Sequence, residues 1–210
     1  MIYVFGNSHA NTFVGTHPGN TEVWNSNNKF ASYSLGPVIA YNFKDHHYPK
    51  VLKILEEIEI RENDYILFAV GEVDHRWHLP KRAVDTSQSI EKVTVECVDR
   101  FFESLLDLKR KNYNVIAWGS HPSTTGGHDG NPDSPVFGSC LTRNLIGKCW
   151  NNRLHDLCLQ FEIPFVSIFD NLVDENYLTK MQYYIDYCHL DPDKIKDMLE
   201  SKFEKFFDNA

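Results

Sequence analysis

The opening stretch MIYVFGNSHAN, residues 1–11, sets an apolar run against a glycine, a serine and a histidine within four positions. Residues 2–5 are short and wholly apolar, which suits a strand covered on both faces, and Gly6 ends it. The same pattern returns along the chain. YILFAV (65–70) runs into GEVDHR, NVIAWG (114–119) again closes on glycine, and PFVSIF (164–169) supplies a further strand. Residues 30–43 hold a short strand with a turn or helix start at Gly36-Pro37, whereas 16–29 reads as loop.

Between these strands lie helical periodicities. Val51, Leu52, Leu55 and Ile58 mark one helix. Ile90, Val93, Cys97, Phe101, Leu105 and Leu108 mark a long one beginning near Ser89. Leu145, Trp150, Leu154 and Leu157 mark a third over 141–160. A last one carries Ile195, Met198, Leu199, Phe203 and Phe206, with Asp191 as cap and Pro192 in the first turn. Short apolar strands alternating with amphipathic helices require crossover connections. The expected fold is therefore α/β: a three-layer α/β/α domain over 1–210 with a mainly parallel, five-stranded sheet. In such a sheet the loops after the strands gather at the carboxyl edge, where ligands bind. The polar stretches after Phe5, Val70, Trp118 and Phe169 fall there, and so does Ser8.

The 210 residues, 42% hydrophobic, suffice for one sizeable core. A formal charge of -8 and the lack of a basic aromatic groove argue against a nucleic-acid partner. No apolar run approaches membrane-spanning length, so no membrane partner is expected. Five cysteines without CxxC spacing read as free thiols in a reducing compartment. Together with an apolar opening that no basic segment precedes, they predict cytoplasmic residence. Oligomeric state stays open.

A serine hydroxyl becomes a nucleophile only beside a base, and that base works best when a carboxylate fixes its tautomer. His9 adjoins Ser8, but adjacency in sequence does not bring side chains together, and the ten histidines cannot be ranked by composition. The stretch IDYCHLDP is more constrained, with Asp186 and His189 three residues apart on a tight connection before the last helix. On its own this D-x-x-H serves equally as a cap or a polar loop network.

Taken together, the two ends resemble the SGNH/GDSL hydrolase family, in a divergent bacterial GDSHS-type branch. Gly6-Asn7-Ser8 matches its Gly-Asp-Ser opening, and Asp186-Tyr187-Cys188-His189 its closing Asp-x-x-His. The resemblance implies a flavodoxin-like sheet, Ser8 as nucleophile, His189 as general base and Asp186 as its orienter. It also implies the backbone amides of Ser8 and Gly36 as oxyanion donors. The implied activity is that of a serine esterase on an acyl ester, acetyl included, of a carbohydrate or small metabolite, without metal or cofactor. Acyl transfer by the same triad and noncatalytic carbohydrate binding are the alternatives. Two positions depart from the family pattern. Asn7 removes a negative charge, though its amide can still organise the turn. In Gly71-Glu72-Val73-Asp74, Val73 stands where relatives carry an asparagine side-chain donor, and valine cannot donate. Losing one such donor costs about 3 kcal/mol of transition-state stabilisation. His75, Arg76 or Asn144 could replace it.

Glu72, Asp74, His75, Arg76 and His78 read as an ion-pair and hydrogen-bond network supporting the edge loops, with substrate binding within the group, by at least Arg76, as the competing reading. The His75–His78 spacing would suit a metal on a helix, but Pro80 argues against an extended helix there. His46-His47 reads as an exposed loop pair. His121, His128 and Asp129 have irregular spacing and read as part of a mobile cover. Arg143 and Asn144, with Asn151 seven residues later, read as solvent contact plus a cap, with support of the site as the rival role. Trp118 reads as core.

Overall fold

The computed structural model describes residues 1–16, 24–125 and 135–207; His128 and Asp129 lie outside them. Six strands form one sheet: β1 (Ile2–Gly6), β2 (Trp24–Ser26), β3 (Phe30–Ser34), β4 (Tyr65–Ala69), β5 (Asn114–Trp118) and β6 (Phe165–Val166). Their spatial order is β2-β3-β1-β4-β5-β6. All neighbours run parallel except β2, an antiparallel edge strand on β3. Without β2 the order is that of flavodoxin-like sheets, as expected.

The helices are α1 (Phe43–His46), α2 (Tyr48–Glu57), α3 (Leu79–Thr86), α4 (Ile90–Arg110), α5 (Cys140–Gln160), α6 (Phe169–Leu172) and α7 (Pro192–Phe207). Polar side chains start the long ones. Ser89 accepts the Lys92 amide for α4, Ser139 the Thr142 amide for α5, and Asp191 the Asp193 amide for α7.

Strand alternation divides the core into two layers. Phe5, Ile66, Phe68, Val115 and Ala117 face α1, α2, α4 and α5. Ile2, Val4, Leu67, Ala69, Ile116 and Trp118 face the other side, with Leu172, Ile195, Leu199 and Phe203. Phe203 sits among the rings of Phe13, Phe30 and Trp118, centroids 5.4 to 6.0 Å away, so Trp118 is core as read.

Several expectations need correction. The sheet has six strands, not five, because β2 lies within the stretch read as loop. Trp24 and Ser26 in β2 are exposed, so no buried apolar alternation marks this strand in the sequence. It is held by pairing to β3 and by Trp24 packing on Tyr3, Phe5 and Tyr33. The strand read over 164–169 stops at Val166. Ser167 Oγ then accepts the Phe169 amide, and Ile168 and Phe169 are apolar because the start of α6 is buried. Pro80 does not break the helix at His78. A wide π turn over Asp74–His78 runs straight into α3, and Pro80 is its second residue, where a missing N–H is tolerated. His46 is exposed, but it ends α1 and is not in a loop. Leu145, read as a core position of α5, is 49% exposed. The face of α5 it was expected to fill is partly polar, for a reason given below.

One contact fixes where β1 ends. A Cβ at Gly6 would stand 2.3 Å from the Ala69 carbonyl oxygen, so β1 and β4 close on each other at a point only glycine can occupy. Gly6→Ala is expected to destabilise the fold by about 1–3 kcal/mol, the usual cost of overpacking. Urea unfolding checks this, and a midpoint unchanged from the parent would contradict the close approach.

Candidate active site

Ser8 lies two residues beyond β1. Asn7 starts the 3-10 helix Ser8–Val14 by accepting the His9 amide on Oδ1 at 3.1 Å, so its amide does organise the turn. At the other end of the chain, a bridge between Tyr184 and Leu190 and a 3.0 Å bond from the Ile185 amide to the His189 carbonyl close a tight loop. Asp186 shapes this loop. Its Oδ1 accepts the amides of Cys188 (2.8 Å) and His189 (2.7 Å), leaving Oδ2 for His189 Nδ1 at 2.8 Å. His189 Nε2 then stands 2.8 Å from Ser8 Oγ. Groups 181 positions apart thus form one hydrogen-bonded line.

The protonation states suit that line. Burial opposes ionisation of Asp186, but the two amides and His189 outweigh it and hold the carboxyl below its usual value. Burial, and then the nearby His9, push His189 below 6.5 against the pull of Asp186. His189 is therefore neutral near pH 7. Asp186 accepts the Nδ1 proton, and the Nε2 lone pair faces the Ser8 hydroxyl. Among the described residues, one group has ligand atoms close enough to hold a metal: Asp186, Cys188 and His189. Two of the three are committed to the line, and burial pushes the Cys188 thiol up, away from the thiolate a metal takes.

The expected oxyanion donors lie at the same edge. The Ser8 amide opens the 3-10 helix, where a leading N–H has no intrahelical acceptor. The Leu35 amide donates to the Gly6 carbonyl at 2.7 Å, which fixes Gly36 beside the end of β1. Gly36 has φ +81°, a conformation glycine adopts without strain, and its α-carbon faces open space. Asp74 secures this loop from below, accepting the amides of Ala40 (2.7 Å) and Tyr41 (3.3 Å). Asp74 is fully buried, and burial raises its carboxyl to about 7 despite those amides. Of its two expected roles, the geometry gives it support.

Of the three side chains considered as replacements for the Val73 donor, Asn144 is paired through both its amide atoms, Arg76 is engaged through two nitrogens, and His75 keeps one buried ring nitrogen, Nδ1, without a hydrogen-bond partner. Arg76 Nε lies 3.0 Å from Glu72 Oε1, and Nη1 donates to the Pro135 carbonyl at 3.3 Å. His75 Nε2 pairs with Ser120 Oγ at 2.6 Å, and burial lowers its imidazole to about 4. Asn144 Oδ1 accepts the Ser123 amide, while Nδ2 donates to the Tyr177 carbonyl and Thr179 Oγ1.

Arg143, Asn144 and Asn151 are buried, not in solvent contact. Residues 120–125 bring backbone groups into the interior, and these need partners. Arg143 donates to Ser123 Oγ (3.0 Å) and to the carbonyls of Thr124 (2.7 Å) and Gly138; Asn151 donates to the Ser120 carbonyl at 2.9 Å. That is why the face of α5 is polar here and Leu145 points outward.

The sequence reading missed His9. Its ring is 4.9 Å from His189 and 4.4 Å from His121, and Nε2 is 3.5 Å from Glu72 Oε2. The available signal was its position next to Ser8. A 3-10 helix turns successive side chains by about a third of a turn, so His9 goes inward. His121, read from the sequence as part of a mobile cover, is instead buried against it.

Comparison with known proteins follows from this geometry. No protein-family model and no curated protein matches the chain. Solved structures do. A GDSL-like lipase from Bacteroides thetaiotaomicron superposes with a TM-score of 0.63 over 100% of this chain and 88% of its own, at 16% identity. A member of the lipolytic G-D-S-L family from Veillonella parvula gives 0.59 over 100% and 98%, at 11% identity. A catalytic mutant of an acetylxylan esterase from Geobacillus stearothermophilus gives 0.57 over 98% and 93%, at 12% identity. The chain has the SGNH hydrolase fold. A shared fold does not carry an activity across such distances, so function has to be argued from the site.

Asp74 provides a test of how the site is supported. Its folded-state value lies above that of a free carboxyl. The stability it contributes is therefore complete below about 3.8 and lost as pH rises through about 7. Asp74→Asn keeps an acceptor and has no charge to bury, so it should gain roughly 2 kcal/mol on the parent between pH 5 and pH 8. Chemical denaturation at the two pH values measures this, and a constant difference would contradict the assigned burial of the charge.

Proposed function

We propose that the protein is a serine esterase cleaving an acyl ester, acetyl included, carried by a carbohydrate or small metabolite. The observation that carries this reading is the continuous line from Ser8 Oγ through His189 to Asp186, with both links at 2.8 Å. His189 Nε2 takes the hydroxyl proton as Ser8 attacks the acyl carbonyl, and ionised Asp186 stabilises the imidazolium. The Ser8 and Gly36 amides meet the negative charge on the carbonyl oxygen. His189 returns its proton to the departing alkoxide, forming the acyl-enzyme and the free alcohol. Water then repeats the cycle and releases the acid. A sugar hydroxyl in place of that water would give transfer. The acetylxylan esterase among the similar structures supports a sugar-borne acyl group.

The noncatalytic reading rests on Val73, which leaves the oxyanion site without the side-chain donor of the family pattern. The intact line outweighs it, because a binding module has no need of a neutral imidazole against a serine hydroxyl. Five free cysteines fit the expected reducing compartment. No helix among the described residues is long and apolar enough to cross a membrane.

Two measurements test the esterase. A serine-directed phosphonate should label the parent protein but neither Ser8→Ala nor His189→Ala, and both variants should lose at least about 10³-fold in hydrolysis of a short acyl ester. Labelling that persists without Ser8 would refute the assignment. A parent that resists several such probes yet binds sugars after Ser8 substitution would be a binding protein. Because His189 is active as the free base and is held below 6.5, kcat/KM should rise with pH below that value and level off above it.

A further inference from the structure

Behind the Ser8–His189 contact lies a buried group that the proposed chemistry does not use. His9, His121 and His189 stand ring against ring, His9 in the middle, with interplanar angles of 70° to His121 and 46° to His189. His9 comes from the 3-10 helix after β1, His121 from the chain after β5, and His189 from the loop before α7. Glu72, from the chain after β4, closes the group through His9 Nε2 at 3.5 Å. Glu72 is itself held by Arg76 and is 3.5 Å from Ser123 Oγ.

This arrangement is costly as packing. His9 Nδ1 and His121 Nε2 are buried and make no hydrogen bond among the described residues, and Glu72 is almost wholly inaccessible. Buried polar atoms left unpaired cost stability, and apolar side chains would fill the same space without that cost. Arg76, then His9 and His121, more than offset the burial that opposes ionisation of Glu72, so Glu72 is a carboxylate. A carboxylate beside one imidazole, which in turn lies against the catalytic imidazole, acts on the charge of the second through the first.

We propose that His9, seated on Glu72, is a positioning residue of the active site that governs how readily His189 accepts the Ser8 proton. A proton on His9 works against a proton on His189, while the Glu72 carboxylate favours it. The titratable groups that interact with His9 are Glu72 with Arg76 behind it, His75, His121 and His189. Of these, Arg76 and His75 lie on the π turn, and burial keeps His75 and His121 neutral near pH 7. Glu72 and Arg76 oppose each other, which leaves His9 as the neighbour that most directly disfavours a proton on His189. The role rests on the esterase reading only in the identity of the proton that His189 takes.

The test uses His9→Phe, which keeps a ring against His189 but has no charge, and His9→Gln, which keeps a polar group but has no ring. Both should raise the midpoint at which the His189 ring titrates, followed by NMR of its imidazole nitrogens, by about half a pH unit or more. That is about threefold in proton affinity. Glu72→Gln should move it the opposite way. The acid limb of kcat/KM should follow the same shifts. A His189 midpoint unmoved in both His9 variants overturns the proposal, whether or not Glu72→Gln folds. Loss of kcat without such movement would mean that His9 only packs. If the midpoint moves while the parent shows no hydrolysis and no phosphonate labelling, the coupling stands and the esterase reading falls.

Discussion

The close approach of β1 and β4 at Gly6 is the constraint on which the site depends. Parallel strands in register end at one level, and the glycine lets the two central ones end without a side chain between them. Ser8, Gly36, Glu72 and Ser120 all leave the sheet at that level, from β1, β3, β4 and β5. Crossover connections make this unavoidable: each strand enters from the far edge, so each loop after a strand leaves on the same side. The position of Ser8 is thus a property of the sheet, and only His189 and Asp186 reach it from a separate loop.

The interior beneath this edge is polar, and each polar group has to be reconciled with burial. Glu72 and Asp74 are two residues apart and both buried, yet they differ in charge. Glu72 has a guanidinium and two imidazoles and stays ionised. Asp74 has backbone amides and the neutral Cys97 thiol for partners, and burial, with Glu72 adding repulsion, pushes it up to about 7. The same burial that neutralises His75 and His121 keeps His189 uncharged at rest, while Asp186 holds it basic enough to accept a proton. Arg143, Asn144 and Asn151 satisfy the backbone of residues 120–125. The site is therefore held from below by hydrogen bonds, while apolar packing of α7 on β1 and β5 holds it from behind.

The fold was legible because its signals are local. Buried central strands such as 65–70 must be apolar on both faces, and the long helices repeat at helical spacing with Ser89 and Asp191 at their starts. The edge strand β2 was not legible. It has no fully buried residue, and its stability comes from pairing to β3 and from Trp24 packing on Tyr3, Phe5 and Tyr33, which no local pattern records. The line from Ser8 to His189 was legible only as two motifs at opposite ends of the chain. The burial of Arg143, Asn144 and Asn151 was hidden for a different reason. Asn144, Gly147, Asn151 and Leu154 do share a helical stripe, but polar residues in a stripe look like a solvent face unless the loop they satisfy is known. His9 was hidden by the opposite error, since neighbours in sequence point apart in a strand but not in a 3-10 turn.

Val73 bears most directly on what the site can do. On the proposed reading its position lacks a side-chain donor worth about 3 kcal/mol, and Asn144 is paired elsewhere. Two backbone amides remain, and backbone donors on a rigid edge cost no reorganisation when charge develops. An activated ester, whose carbonyl needs less help, would suffer least from a two-donor hole. A poor leaving group would suffer most, because its transition state carries the largest charge on oxygen. On the proposed esterase reading, a site with two donors should therefore turn over esters of good leaving groups faster than esters of simple alcohols.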